Sequence, residues 1–160
     1  MGVREVAKIN SNSSNWKVND FLNSYIDMGI EPYKRIQDIK HEYGMTILNL
    51  ASLLYGGVAR VDKMKEIFID GDFEIRYEEK ALSILNQLKD FEPYTKQPYA
   101  RRFVYAFEKL LNGGKYDHKH MIKKLEQSGQ KIERIESSKN IILNMEEIYN
   151  FKQRERLHIL

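Results

Sequence analysis

Residues 10–57 read NSNSSNWKVNDFLNSYIDMGIEPYKRIQDIKHEYGMTILNLASLLYGG. Residues 10–15 are turn-forming and capping side chains that compete with helical hydrogen bonding. After the single tryptophan, Trp16, the residues Phe21, Leu22, Tyr25, Ile26 and Met28 recur at helical spacing, predicting a helix over about residues 17–28. Gly29 suits the left-handed position just past its end. Trp16 is expected as a structural anchor, folding back onto that helix's apolar face as a staple residue does. Pro32 fits a first helical turn, where its missing N–H has no partner to lose. Ile36, Ile39 and Tyr43 mark the stripe of a second helix, which Gly44 stops. Thr46 is the expected N-cap of a third segment over residues 47–55. Leu48, Leu50, Ala51, Leu53 and Leu54 make that segment apolar nearly all round, as in a central buried helix.

A helix, the Gly44 turn and another helix also have the form of a helix-turn-helix. A recognition helix needs polar or basic side chains facing base edges. The third segment offers only Asn49, Ser52 and Tyr55, so it reads as a core helix.

The pattern Asn10-Ser-Asn-Ser-Ser-Asn-Trp16, Asp20-Phe21-Leu22-Asn23-Ser24-Tyr25, Gly29 and Tyr33 resembles a known helical region. That region follows the ParB-like, sulfiredoxin-like domain in proteins of phages and other mobile elements. The resemblance runs on through Gly71-Asp72-Phe73, residues 101–111, Tyr116-Asp117-His118 and Ile148-Tyr149-Asn150, and so covers most of the chain. Its motifs mark structure and not catalysis. In such relatives the preceding domain carries an Asp-Gly-x-His-Arg signature tied to nucleotide or DNA-backbone chemistry. Residues 1–8 here lead straight into the helical part, so that chemistry does not carry over. Lys17 departs from the pattern, where a Ser or Thr cap is more usual.

Residues 58–75 admit two readings. Asp70-Gly71 between Ile67-Phe68-Ile69 and Phe73-Glu74-Ile75 has the form of a two-residue hairpin. A helix over residues 61–68 is preferred, since Val61, Met64, Lys65 and Phe68 share a face. A helix over residues 77–89 turns Ala81, Ile84, Leu85 and Leu88 inward, and Pro93 and Pro98 bracket a connector. Residues 99–111 form an aromatic amphipathic helix with Phe103, Phe107, Leu110 and Leu111 inward. Asp117 caps a helix to about residue 127 with Met121 and Leu125 buried. Ser137 or Ser138 caps the last, with Ile141, Met145, Ile148 and Tyr149 on one stripe. These elements predict an all-α chain, a compact bundle of about six to eight helices. At most a short extended or hairpin piece lies near residues 67–75. Residues 1–160 read as a single helical domain, divisible into subdomains 10–57 and 77–150 joined by 58–76.

At 160 residues, 42% apolar and 31% charged, the composition is that of an ordinary globular protein. No cysteine is present, which excludes disulfide and thiol chemistry and suits a reducing cytoplasm. No secretory signal is expected, and the longest apolar run, residues 47–54, is too short to span a bilayer. The net charge of +3 is uneven. Residues 1–80 hold 11 Lys and Arg against 13 Asp and Glu, and residues 81–160 hold 15 against 10.

His118 and His120 stand two apart, so on a helix they point about 200° apart and cannot share a metal ion. They read as a solvent-exposed helix start. Glu78-Glu79 and Glu146-Glu147 read as solvated faces; acid–base work would need apolar surroundings to shift a pKa. Gly56-Gly57 and Gly113-Gly114 follow helices and lack a Lys-Ser/Thr partner, so neither is a phosphate loop. No catalytic residue, metal or cofactor is expected. Basic clusters are the remaining signal: Arg60, Lys63 and Lys65; Arg101 and Arg102; Lys119, Lys123 and Lys124; and Lys152, Arg154 and Arg156. With Glu126, Glu133, Glu136 and Glu155 among them, they read either as scattered solubilising charge or as phosphate-backbone contacts. The resemblance implies a non-enzymatic helical module that assists nucleic acid handling or partner docking. The rival is a stand-alone phage-type inhibitor that binds a host protein such as a defence nuclease, and the third reading is a fragment lacking an upstream domain.

Overall fold

The capping and stop signals of residues 16–57 become three helices in a computed structural model that describes residues 16–152 and 157–158. The side chain of Arg60 also lies outside the description, as do residues 10–15 of the motif quoted above. Helix α1 spans Val18–Asp27, α2 Glu31–Lys40 and α3 Ile47–Tyr55. A 3-10 turn, Val58–Arg60, leads into α4, Val61–Ile69. There follow α5 (Glu78–Lys89), α6 (Arg101–Asn112), α7 (His118–Ser128) and α8 (Ser138–Asn150). The fold is all-α; no strand occurs among the described residues, and the helical reading of residues 61–68 stands over the hairpin. The chain divides into two compact units, Met1–Ala81 and Leu82–Leu160, with the division inside α5.

In the first unit the helix ends follow local chemistry. The Asp20 carboxylate accepts the Lys17 N–H at 2.7 Å, half of a capping box, so α1 starts without the usual Ser or Thr. Gly29 (φ +80°) closes it, a conformation that any side chain would strain. Thr46 Oγ1 caps α3 through the Asn49 N–H, and Leu50, Ala51, Leu53 and Leu54 are buried. Each such large side chain contributes about 1.5–3 kcal/mol of transfer free energy. With that surface in the core, α3 keeps only Leu48, Asn49 and Tyr55, each half-buried, on its outer side.

An aromatic stack joins these helices to the segment after α3. Tyr33, fully buried on α2, has ring centroids 4.7 Å from Tyr25, 4.8 Å from Phe68 and 5.6 Å from Phe73. Its hydroxyl donates to the Phe68 carbonyl at 2.8 Å and accepts from the Phe73 N–H at 3.3 Å. The Tyr25 hydroxyl donates to the Ile69 carbonyl. Two phenols thus reach the carbonyls at the end of α4: Tyr25 supplies the Ile69 carbonyl, and Tyr33 adds a second donor to the Phe68 carbonyl, which also accepts the Gly71 N–H at 3.3 Å. Residues 58–76, expected as a joint between subdomains, lie inside the first unit because Phe68 and Phe73 complete this stack. Trp16 packs edge-on against Phe21, with centroids 5.1 Å apart, yet it is half-buried and outside the buried core.

In the second unit α6 and α7 both pack on α8. Phe91, Phe103 and Phe107 form the centre, with Phe91 5.4 Å from each of the other two. Leu110 is buried as expected, whereas Leu111 and Tyr149 are only half-buried, each at the edge of its helix's stripe. Asp117 caps α7 and Ser137 caps α8, accepting from the His120 and Asn140 N–H groups. Glu146 is buried, not on a solvated face, because it lies one residue from Met145 on the side of α8 that faces its neighbours.

Candidate functional site

Helix α7 sets Met121 and Leu125 into the core, which directs the remaining faces by the 100° step of the helix. His120 and Lys124, four apart, turn toward the C-terminal end of α8. The His120 ring lies 4.5 Å from Tyr149, with Nε2 3.2 Å from the Tyr149 carbonyl oxygen. The Lys124 ammonium donates to the Phe151 carbonyl at 2.6 Å. A cation at the last carbonyls of a helix is favoured by the macrodipole. Lys119 and Lys123, also four apart, face solvent and make no ion pair among the described residues. Lys152 follows with its ammonium 5.4 Å from the centre of the Phe151 ring.

Below this surface, His118 is not a solvent-exposed helix start. Its side chain is 13% exposed, wedged beside Phe91 and Phe107, because Asp90 and Tyr116 supply both of its ring nitrogens with partners. Nε2 is 2.9 Å from Asp90 Oδ2, and Nδ1 is 2.9 Å from the Tyr116 hydroxyl. Burial first, then Tyr149, Asp117 and Asp90, pushes the Tyr116 hydroxyl far above its ordinary value. The phenol therefore keeps its hydrogen, and the Asp90 carboxylate, which can only accept, takes the Nε2–H. The Tyr149 hydroxyl accepts the Asp117 N–H at 3.1 Å, and the rings of Tyr116 and Tyr149 lie 5.7 Å apart. The chain runs from the exposed Asp90 carboxylate inward to Tyr116, with the His118 ring against Phe91 and Phe107, and it ties the start of α7 to the residues after α5.

The expected basic residues divide. Lys119, Lys123, Lys124 and Lys152 gather around α7 and the end of α8. Arg102 donates to Gln97 Oε1, and its carbonyl accepts from the Ser138 hydroxyl at the first residue of α8. Arg101 and Arg102 therefore stand a whole helix away from Phe151, about 20 Å for 13 residues. Lys63 and Lys65 are exposed on α4 in the first unit, two apart and so on different sides of it. Arg154 and Arg156 lie outside the described residues, as does the side chain of Arg60. No group of His, Asp and Glu fit for a metal ion occurs among the described residues. Among them, too, no helix is long and apolar enough to cross a membrane.

Sequence reasoning missed Phe151 and the clasp beside it. The Asn150 side chain, buried, donates to the Leu157 carbonyl at 2.7 Å and accepts the Leu157 N–H at 2.6 Å. A buried amide with both halves paired to one backbone residue leaves no periodic signal. Apolar Leu157 seven residues after Asn150 was the available hint. Comparison of the chain with family models, with curated proteins and with solved structures finds no match.

Proposed function

We propose that this chain is a non-enzymatic helical module of the ParB-like kind found in phage and mobile-element proteins, and that it holds nucleic acid by its phosphates. The observation that carries this reading is the lysine surface of α7, with Lys119 and Lys123 outward and without ion pairs among the described residues, beside Lys124 and Lys152. Glu147, the nearest exposed carboxylate on α8 to that end, is already held by Arg134. Lysines on a rigid helix offer phosphates a fixed spacing, and each contact releases condensed counterions. With α3 in the core, affinity comes without base readout.

The test is a polarisation titration with labelled single- and double-stranded oligonucleotides across a range of salt. Binding should be weak, tolerant of sequence and steeply salt-dependent. Lys119→Glu with Lys123→Glu should weaken binding roughly tenfold or more at low salt and reduce the salt slope by about 2. Both side chains are exposed, so the melting curve should stay at that of the parent. Lys124 is unsuitable for this purpose, because its reversal would also uncap the Phe151 carbonyl. Equal binding by the folded variant, or no binding by the parent at low salt, rejects the reading. A protein partner, of the host-directed inhibitor kind, then takes first place.

A further inference from the structure

Two large apolar side chains are conspicuously exposed among the described residues, Tyr77 at 52% and Phe151 at 47%. Their electrostatic settings differ. Tyr77 stands among paired charges, Glu74 held by Arg76 and Glu78 by Arg35. Phe151 has the Lys124 ammonium on its own carbonyl and the Lys152 ammonium near its ring. Phe151 is also held still from both directions. Its N–H donates to the Ile148 carbonyl at 3.3 Å, and Asn150 beside it is clasped to buried Leu157. Lys152 takes φ +59°, the one non-glycine residue with positive φ in the description. That is the position just past the cap of α8, where helices commonly end in a left-handed residue.

An exposed aromatic ring carried on a pinned backbone and flanked by cations is what an unstacked base needs: a π face to lie on and charges for the phosphates on either side. A paired base cannot use it, since both of its faces are already stacked within the duplex. We propose that Phe151 is a stacking platform for one base of a single-stranded nucleic acid, with Lys124 and Lys152 beside it. This rests on the phosphate-binding reading above and adds the strand state of the ligand. Because the backbone that carries the ring is already tied down, docking a base need order only the side chain.

Titrating the whole protein with fluorescein-labelled oligo-dT, oligo-rU and a duplex of equal length tests this. The parent should bind the single strands more tightly than the duplex. Phe151→Ala should lower the ratio of single-strand to duplex affinity about 5- to 100-fold, whereas Phe151→Tyr should keep it. Phe151→Trp adds an emission that single strands should quench by stacking, a signal that a packing role for the ring would not produce. The oligo-dT and oligo-rU arms separate a DNA from an RNA preference, and either preference supports the proposal. An unchanged ratio in Phe151→Ala, or a parent that binds duplex as tightly as single strands, overturns the proposal while leaving the phosphate reading intact. A parent that binds none of the three at low salt overturns both.

Discussion

Tyr33→Ala is expected to destabilise the first unit by about 3–5 kcal/mol. Tyr33 is fully buried, and its ring touches one aromatic from α1, one from α4 and one from the segment after α4. Alanine leaves a cavity that three rings border, and none of them can move in without leaving its own partners. It also strips the phenol that bridges the Phe68 carbonyl and the Phe73 N–H, so two buried backbone groups lose a partner. Tyr33→Phe keeps the ring and removes only that bridge, and should cost about 1–3 kcal/mol. Trp16, the single tryptophan, lies in the same unit and reports the transition by its emission during denaturant unfolding. A Tyr33→Phe midpoint equal to that of the parent would show that the bridge adds nothing, and a Tyr33→Ala loss near 1 kcal/mol would show that the stack is loosely packed.

Phe107→Ala should cost the second unit a similar amount, about 3–5 kcal/mol, with a more local consequence. Phe107 is fully buried, and its ring centroid lies 5.4 Å from Phe91, 5.5 Å from Tyr116 and 5.8 Å from His118. It is the wall against which the Asp90–His118–Tyr116 chain is pressed. Removing it admits water to Tyr116, whose hydroxyl is pushed up mainly by burial, so its titration should move back down toward the ordinary phenol range. Absorbance of the phenolate in an alkaline titration reads that change, and circular dichroism during unfolding reads the stability. Phe107→Leu retains most of the volume and should lose less on both counts. A variant as stable as the parent would mean that the unit tolerates an open centre.

At these two sites several of the motif residues quoted from the sequence pack together. Tyr25, Tyr33 and Phe73 stack together in one unit. In the other, Tyr116 meets Tyr149 by a ring contact and His118 by a hydrogen bond, and the Asp117 N–H donates to the Tyr149 hydroxyl. Widely spaced motif residues are side chains that build the two interiors, whereas the lysines proposed to meet nucleic acid lie outside those motifs.

Helix identity was legible because it is local. Gly29, Pro32, Thr46, Asp117 and Ser137 act on the backbone within one turn, and the 3.6-residue stripe names the inward face without reference to any partner. Hence α3 runs from Ile47 to Tyr55 as its cap and apolar run indicate, and Ala81, Ile84, Leu85 and Leu88 are all buried. What the sequence by itself could not determine is what stands opposite each face. His118 reads as polar and terminal, yet Asp90, 28 residues away, and the rings of Phe91 and Phe107 enclose it. Lys123 and Lys124 are adjacent and alike in sequence. Only the packing of α7 on α8 leaves one exposed to solvent and makes the other a cap on Phe151. Glu146, Asn150 and the exposure of Phe151 were decided the same way. Periodicity records which side of a helix is apolar, while burial, pairing and exposure depend on contacts between residues far apart in the chain, which folding alone brings together.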